Sequence, residues 1–325
     1  MSQPRRLAAL FAGSLMAATV LAATAAPEPV VTLAQGVAHD ALFAIAIDGA
    51  QGIAAGVPGK IMESTDSGKT WSAGKPLPTP LAMLGIDLKD GHAIAVGQMG
   101  SVYVREGQGE WSKAETGTSE RLMNVALNRQ GQAVAVGAFG TVLRSSDFGR
   151  NWQPVVMDWK PFLNADQADQ GIQPHLSAVQ VGEDGAITVA GEFSLILRSS
   201  DQGASWTALN RGDAAIFAMD LRSDGIGYAV GQDGLILRSS DGGASWATLP
   251  PDSSKSNLLG VRSVGDQVVV SAMHDMLTSR DGGQSWQRLR SPDVQAGWYS
   301  GVAVGGQSFM TVGHTGRIIR VNTTN

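Results

Sequence analysis

The chain has no cysteine, which excludes disulfides, thiolate metal sites, a cysteine nucleophile and a lipid anchor on an N-terminal cysteine. Aromatic residues make up only 6% and tyrosines number three. Long stretches of helical periodicity are almost absent, which argues against an α/β enzyme. Charged residues are few at 16%, yet the hydrophobic share of 43% is that of a globular chain rather than a disordered one. What the sequence has in abundance is glycine, 41 residues in 325, and this points to a turn-rich, all-β protein.

One long apolar run exists, Leu7 to Leu21, preceded by Arg5 and Arg6 and followed by the small residues Ala23, Thr24 and Ala25. That is the pattern of an export signal cleaved near Ala25. The run is too short for a membrane span and is followed by Pro27 and Pro29 with no basic stop-transfer cluster. Residues 1–25 are therefore expected to be a signal peptide and 26–325 the exported domain, most simply periplasmic, with no membrane insertion. Removing Arg5 and Arg6 leaves 22 basic against 29 acidic residues, a net charge of −7. Nucleic acid is thereby disfavoured as a partner.

Marking the tryptophans exposes an internal repeat: Trp71, Trp111, Trp152, Trp206, Trp246 and Trp286 are separated by 40, 41, 54, 40 and 40 residues. Five carry one approach sequence, STDSGKTW, SSDFGRNW, SSDQGASW, SSDGGASW and SRDGGQSW; the version at Trp111, REGQGEW, is degenerate. Each unit also has two apolar runs upstream and a third ending at the motif, giving four strands, A to D, with D opened by the tryptophan. The A–B connections carry hairpin chemistry at Asp48-Gly49, Asp90-Gly91, Asp184-Gly185 and Asp224-Gly225. B and C are apolar without alternation, as in sheets covered on both faces. The B–C turns at Gly59, Gly100, Gly140, Ser194, Gly234, His274 and Gly316 count seven units, the last without a D strand. The extended segment Pro29 to Ala34 precedes the first A strand, and it is expected to supply that missing outer strand. The fold expected is a seven-bladed β-propeller of four-stranded antiparallel blades, its ring closed by an N-terminal strand; an open solenoid is the alternative.

The S-x-D-x-G-x-[ST]-W element resembles the Asp-box, or BNR, repeat of propellers that include sialidases and other glycosidases. The mature chain as a whole resembles the photosystem II stability/assembly-factor-like branch, through AVGAFGTVLRSSDFGRNW (Ala135 to Trp152) and AVGQDGLILRSSDGGASW (Ala229 to Trp246). That resemblance implies a non-enzymatic scaffold without cofactor or metal. It also implies a protein client, an envelope or membrane protein bound during its assembly. It implies structural roles for Asp66, Asp147, Asp201, Asp241 and Asp281 and for Trp71, Trp152, Trp206, Trp246 and Trp286. The contrasting reading, a glycoside hydrolase, would need paired carboxylates at one place and, in the sialidase pattern, an Arg-Ile-Pro stretch, an arginine triad and a tyrosine with a glutamate partner. The chain has no Arg-Ile-Pro, and Tyr103, Tyr228 and Tyr299 fall in or at the start of strands.

Three sets of residues are candidates for contact with a client or ligand. Arg144, Arg198, Arg238 and Arg320 all end strand C, where the other blades have Glu63, Val104 and Thr278. In register they form a patch for carboxylates, or else each staples its own turn or a neighbouring blade. His39, His175, His274 and His314 fall on the opposite face, but no two share a metal-binding spacing. The long interval between Trp152 and Trp206 is an insertion at about 158–175, with Trp159 and Phe162 as either interface anchors or a seal over the blades. Within it, Asn164 to Gly171 reads as a short capped helix.

Overall fold

The computed structural model describes residues 28–249 and 255–323; the expected signal peptide, residues 1–25, lies outside the described residues. The described residues form seven four-stranded antiparallel sheets, each with strand A innermost and D outermost. The first six blades are consecutive in sequence and begin with the A strands Ala41–Asp48, Met83–Lys89, Leu122–Leu127, Leu176–Val181, Ile216–Leu221 and Leu258–Val264. The seventh is composite. Strands Tyr299–Gly305, Ser308–Gly313 and Ile318–Val321 receive Val30–Ala34 as their outer strand, with Val30 opposite Val321, Val31 opposite Arg320 and Thr32 opposite Ile319. The first and last segments thus share one sheet, and the ring closes as the sequence implied.

The core is not central. Buried apolar residues fall into seven separate clusters, each shared by two adjacent blades. Both faces of strand B are covered, and Ala133–Gly137 is buried at every position, which is why B and C lack the alternation of a half-wet sheet. Six of the interfaces receive a repeat tryptophan; Trp71 meets blade seven and Trp246 meets blade four. The interface between blades six and seven has none, because blade seven takes its outer strand from the other end of the chain. Val294, on the short helix Pro292–Ala296, fills that space with Leu289 and Val30.

A second set of contacts joins the inner strands. Asp48 accepts from Asp90 N at 2.8 Å, Asp87 from Leu127 N at 2.8 Å, and Asn124 Nδ2 donates to Ser177 O at 3.2 Å. Gln180 Oε1 accepts from Leu221 N at 2.9 Å, and Asp220 accepts from both Ser263 N and its hydroxyl, at 2.8 and 2.6 Å. Ser271 donates to Ser300 O at 2.6 Å, and Ser300 donates to Phe43 O at 2.7 Å. Every blade is therefore latched to the next by a side chain on strand A or B that reaches a strand edge which has no further strand to pair with.

Deleting Pro29 to Gln35 is expected to weaken the whole domain. Val30, Leu33 and Ala34 pack against the cores on either side of blade seven, each contributing on the order of 1 kcal/mol. At roughly 2 °C per kcal/mol for a domain of this size, the melting temperature should fall by about 5 °C or more. An unchanged melting temperature would show the strand to be dispensable.

Candidate functional site

The A–B and C–D turns lie on one end of the ring, and the B–C turns and D–A loops on the other. The C–D turns repeat one geometry. In blade five the Ser239 hydroxyl donates to Asp241 Oδ1 at 2.8 Å and accepts from Gly243 N at 2.9 Å. Asp241 also takes Ser245 N at 3.0 Å and the Ser245 hydroxyl at 2.6 Å, while Trp246 Nε1 donates to Gly243 O at 3.1 Å. Asp66, Asp201 and Asp281 hold the same bonds to their own turns, and Asp147 does so with Asn151 in place of serine. The side-chain hydroxyl first, then the backbone amide and the motif serine, hold Asp66, Asp201, Asp241 and Asp281 at about 2. Each carboxylate is spent on its own turn, one per blade, and no two of the five stand as an acid–base pair.

The degenerate motif of blade two is compensated from next door. Arg105, 5% exposed, pairs with Glu63 of blade one and lies 4.7 Å from the centre of the Trp111 ring. Glu63 is blade one's counterpart of the arginine row. Within that row Arg198 is a staple: its Nε donates to Thr188 Oγ1 at 3.1 Å and its Nη2 to Gly242 O of the next blade at 2.6 Å. Arg144 is exposed, reaches only Gln153 Oε1 at 3.4 Å, and borders a cavity of about 320 Å³ between blades three and four. Arg238 and Arg320 are half-buried, each on its own blade.

In the insertion, Trp159 is buried, 7% exposed, in the core between blades three and four, edge-on to Phe162 at 6.5 Å. Its indole packs so closely on Gly140 that a β-carbon there would meet it at 2.5 Å. The ring seals the blades and is not presented to a partner; Phe162 is only partly buried beside it. The helix is present as Ala165–Asp169, with a capping box between Asn164 and Gln167 and Gly171 at φ +65°. Of the histidines, His175 accepts from Phe139 N at 2.9 Å, and His274 faces Gln295 O at 3.1 Å. Burial, and then the neighbouring His274, lower the pKa of His314. His39 is exposed. Among the described residues no three His, Cys, Asp or Glu side chains gather as a metal site.

Sequence reasoning missed the feature that most distinguishes the two ends. The inner strands enclose a channel of about 570 Å³. Directly after the first buried residue of each A strand, beside the B–C turns, stand Phe43, Leu84, Met123, Ser177, Phe217, Leu259 and Ser300, all lining it and all half-exposed. Five of the seven are large and apolar, and Trp298 stacks on Phe43 with ring centres 5.3 Å apart. Three positions further in, the wall turns polar, with Asp87, Gln180, Asp220 and Arg262. Burial pushes the Asp87 carboxyl up, against the pull of Lys89 and two amide donors. At the far end Arg129 reaches Asp48, Asp90 and Glu183 at 3.3, 3.4 and 3.1 Å. Of the exposed large apolar side chains among the described residues, Val37, Met99, Phe139, Val156 and Met273 sit on loops of the apolar-mouthed end, and Val264 sits at the other. Aligning the A strands by their first buried residue would have revealed the ring.

Two outcomes follow from this geometry. Trp159→Ala should cost about 3–5 kcal/mol, the usual range for emptying a buried aromatic site, read by denaturant unfolding; a loss below about 1 kcal/mol would show the ring to be unpacked. The four C–D aspartates have a folded pKa of about 2 against the ordinary 3.8. The stability they supply is full above that ordinary value and is lost as pH falls toward the folded one. The melting temperature of the parent should therefore drop between pH 4 and 2 more steeply than that of the variant with Asp66, Asp201, Asp241 and Asp281 all changed to Asn. Parallel acid profiles would contradict this.

In sequence, no family model and no curated protein matches the chain. In structure it is similar to YCF48 bound to D1 peptide, with a TM-score of 0.68 at 18% identity over 91% of this chain and 96% of that one. It is similar also to YCF48 from Cyanidioschyzon merolae, with a TM-score of 0.68 at 17% identity over 91% and 100%. The WD40 β-propeller domain of Doa1 gives 0.67 at 9% identity over 91% and 97%. At these identities what is shared is the fold, which in this chain is a seven-bladed β-propeller.

Proposed function

We propose that this protein is an exported, non-enzymatic scaffold that binds a protein client, an envelope or membrane protein, through the apolar-mouthed end of its propeller. The observation that carries this is the asymmetry of the channel. One mouth is ringed by Phe43, Leu84, Met123, Phe217 and Leu259, a water-facing apolar patch that does nothing for the inter-blade cores, and such patches mark interaction sites. At the opposite end of the inner strands, Arg129 is instead ion-paired to Asp48, Asp90 and Glu183. The similar structure of YCF48 was obtained with a D1 peptide bound, and this supports a polypeptide as the ligand here. Export rests on the apolar leader at residues 1–25, and the C–D turns are read as Asp-box repeats. A glycosidase gains no support, since the channel carboxylates Asp87 and Asp220 are engaged as latches to neighbouring blades.

The test is made in cells that produce the tagged full chain. Chemical crosslinking should yield an adduct with one envelope protein, and Leu84→Asp with Leu259→Asp should abolish it with the melting temperature little changed. N-terminal sequencing of the exported form should begin within a few residues of Ala26. Adducts that persist in the double variant, or an intact Met1 on the soluble envelope protein, would overturn the corresponding half of the proposal. So would turnover of a fluorogenic glycoside that one carboxylate substitution abolishes.

A further inference from the structure

Outside the channel mouth, the B–C turns of blades two, three and four carry Met99, Phe139 and Phe193 at one equivalent position, with φ of 55°, 50° and 58°. The same position holds Asp233, His274 and Thr315 in later blades. A left-handed backbone suits glycine or a short polar residue and costs a bulky apolar one about 1 kcal/mol or more. That cost is ordinarily offset by burying the side chain. Here it is not, because Met99 is 65% exposed and Phe139 59% exposed.

The two turns are nevertheless held firmly. Gly100 N donates to Glu120 O at 2.9 Å, Gly140 N to Pro174 O at 3.0 Å, and Phe139 N to His175 Nδ1 at 2.9 Å. The Phe139 ring meets the His175 ring edge-on at 4.9 Å. Between the turns runs an open groove of about 630 Å³, bordered by Met99, Met123, Phe139, His175, Glu120 and Arg121. Met123 lines both this groove and the channel mouth, so one apolar track runs from the centre of the face to its edge. Arg121 is exposed and makes no ion pair or side-chain hydrogen bond among the described residues. Glu120 stands beside it without forming a salt bridge to it.

We infer that the groove between Met99 and Phe139 is a docking site for an extended segment of another protein. The segment carries a large apolar side chain, placed against Met99, Met123 and Phe139, and a nearby carboxylate for Arg121. This rests on the scaffold function proposed above and specifies its partner. Both turns are already anchored in the strained conformation that displays their side chains, so little ordering remains to be done on binding. An Arg–carboxylate pair beside an apolar contact would also fix the direction of the segment.

The experiment selects random dodecapeptides on phage against the purified full chain and measures the winners by fluorescence anisotropy. The expected winners place an aspartate or glutamate within about three residues of Phe, Leu, Met or Trp. Phe139→Ser and Arg121→Glu should each weaken binding by roughly tenfold, about 1.4 kcal/mol. Replacing the peptide's acid with its amide should weaken binding to the parent but not to Arg121→Glu, the signature of a direct pair. Arg144→Glu, on the other end of strand C, should change nothing. Met99, Phe139 and Arg121 are exposed, and equal melting temperatures will show that the variants fold.

No enrichment overturns the inference, as do winners without an acid, or affinity indifferent to Phe139→Ser. If peptides bind but are lost only in Leu84→Asp with Leu259→Asp, the groove fails while the scaffold function stands. If they bind in the groove as described and the cellular adduct is never found, the groove stands and the envelope client fails.

Discussion

A four-stranded blade with apolar side chains on both faces cannot fold alone in water, and everything else here depends on giving each blade two neighbours. Seven inter-blade cores replace a single central one. The arrangement works only as a ring, because an open array would leave two outermost faces wet. Closure therefore falls on the pairing of Val30–Ala34 with Ile318–Val321, the first and last strands of the described residues. It also explains the irregular interface, where Val294 and Leu289 take the place of a repeat tryptophan.

Packing by itself would let blades slide, since apolar contact has no direction. The inner-strand latches supply direction: Asp87, Gln180 and Asp220 each bind a backbone amide of the next blade. Because these side chains line the channel, they also make its interior polar and occupy the carboxylates there. The apolar residues at the mouth are under no such demand. Their exposure, together with that of Met99 and Phe139, gives one end of a nearly symmetric ring a chemistry the other lacks. The closed ring makes that face rigid.

The repeated C–D aspartates and Trp159 both serve the fold. The C–D aspartates accept three bonds apiece from their own turns, as in Asp241 with Ser239, Ser245 N and the Ser245 hydroxyl. Trp159, on the longest loop, points inward because Gly140 leaves room for the indole. Arg198 ties blade four to blade five, whereas Arg144, at the same register, is left exposed beside a cavity. One sequence position thus has two physical fates, set by the turn it faces.

The sequence by itself determined the blade count, the strand order within a blade and the closing strand. These follow from features local to one repeat: a tryptophan every forty residues, an Asp-Gly hairpin, a serine–aspartate turn, and one outer strand short at the end. It also determined the helix at Asn164 to Gly171, because a capping box is a matter of neighbours three residues apart. Only the tertiary structure decided the latches, since Asp48, Asn124, Gln180 and Ser300 share neither residue type nor strand position and are alike only in reaching across to another blade. The same holds for the apolar mouth, whose residues lie some forty positions apart and become one surface only when seven inner strands are set around an axis. Whether Trp159 faced solvent or core was likewise undecided along the chain, because the direction of a side chain on a loop is fixed by the space that distant residues leave for it.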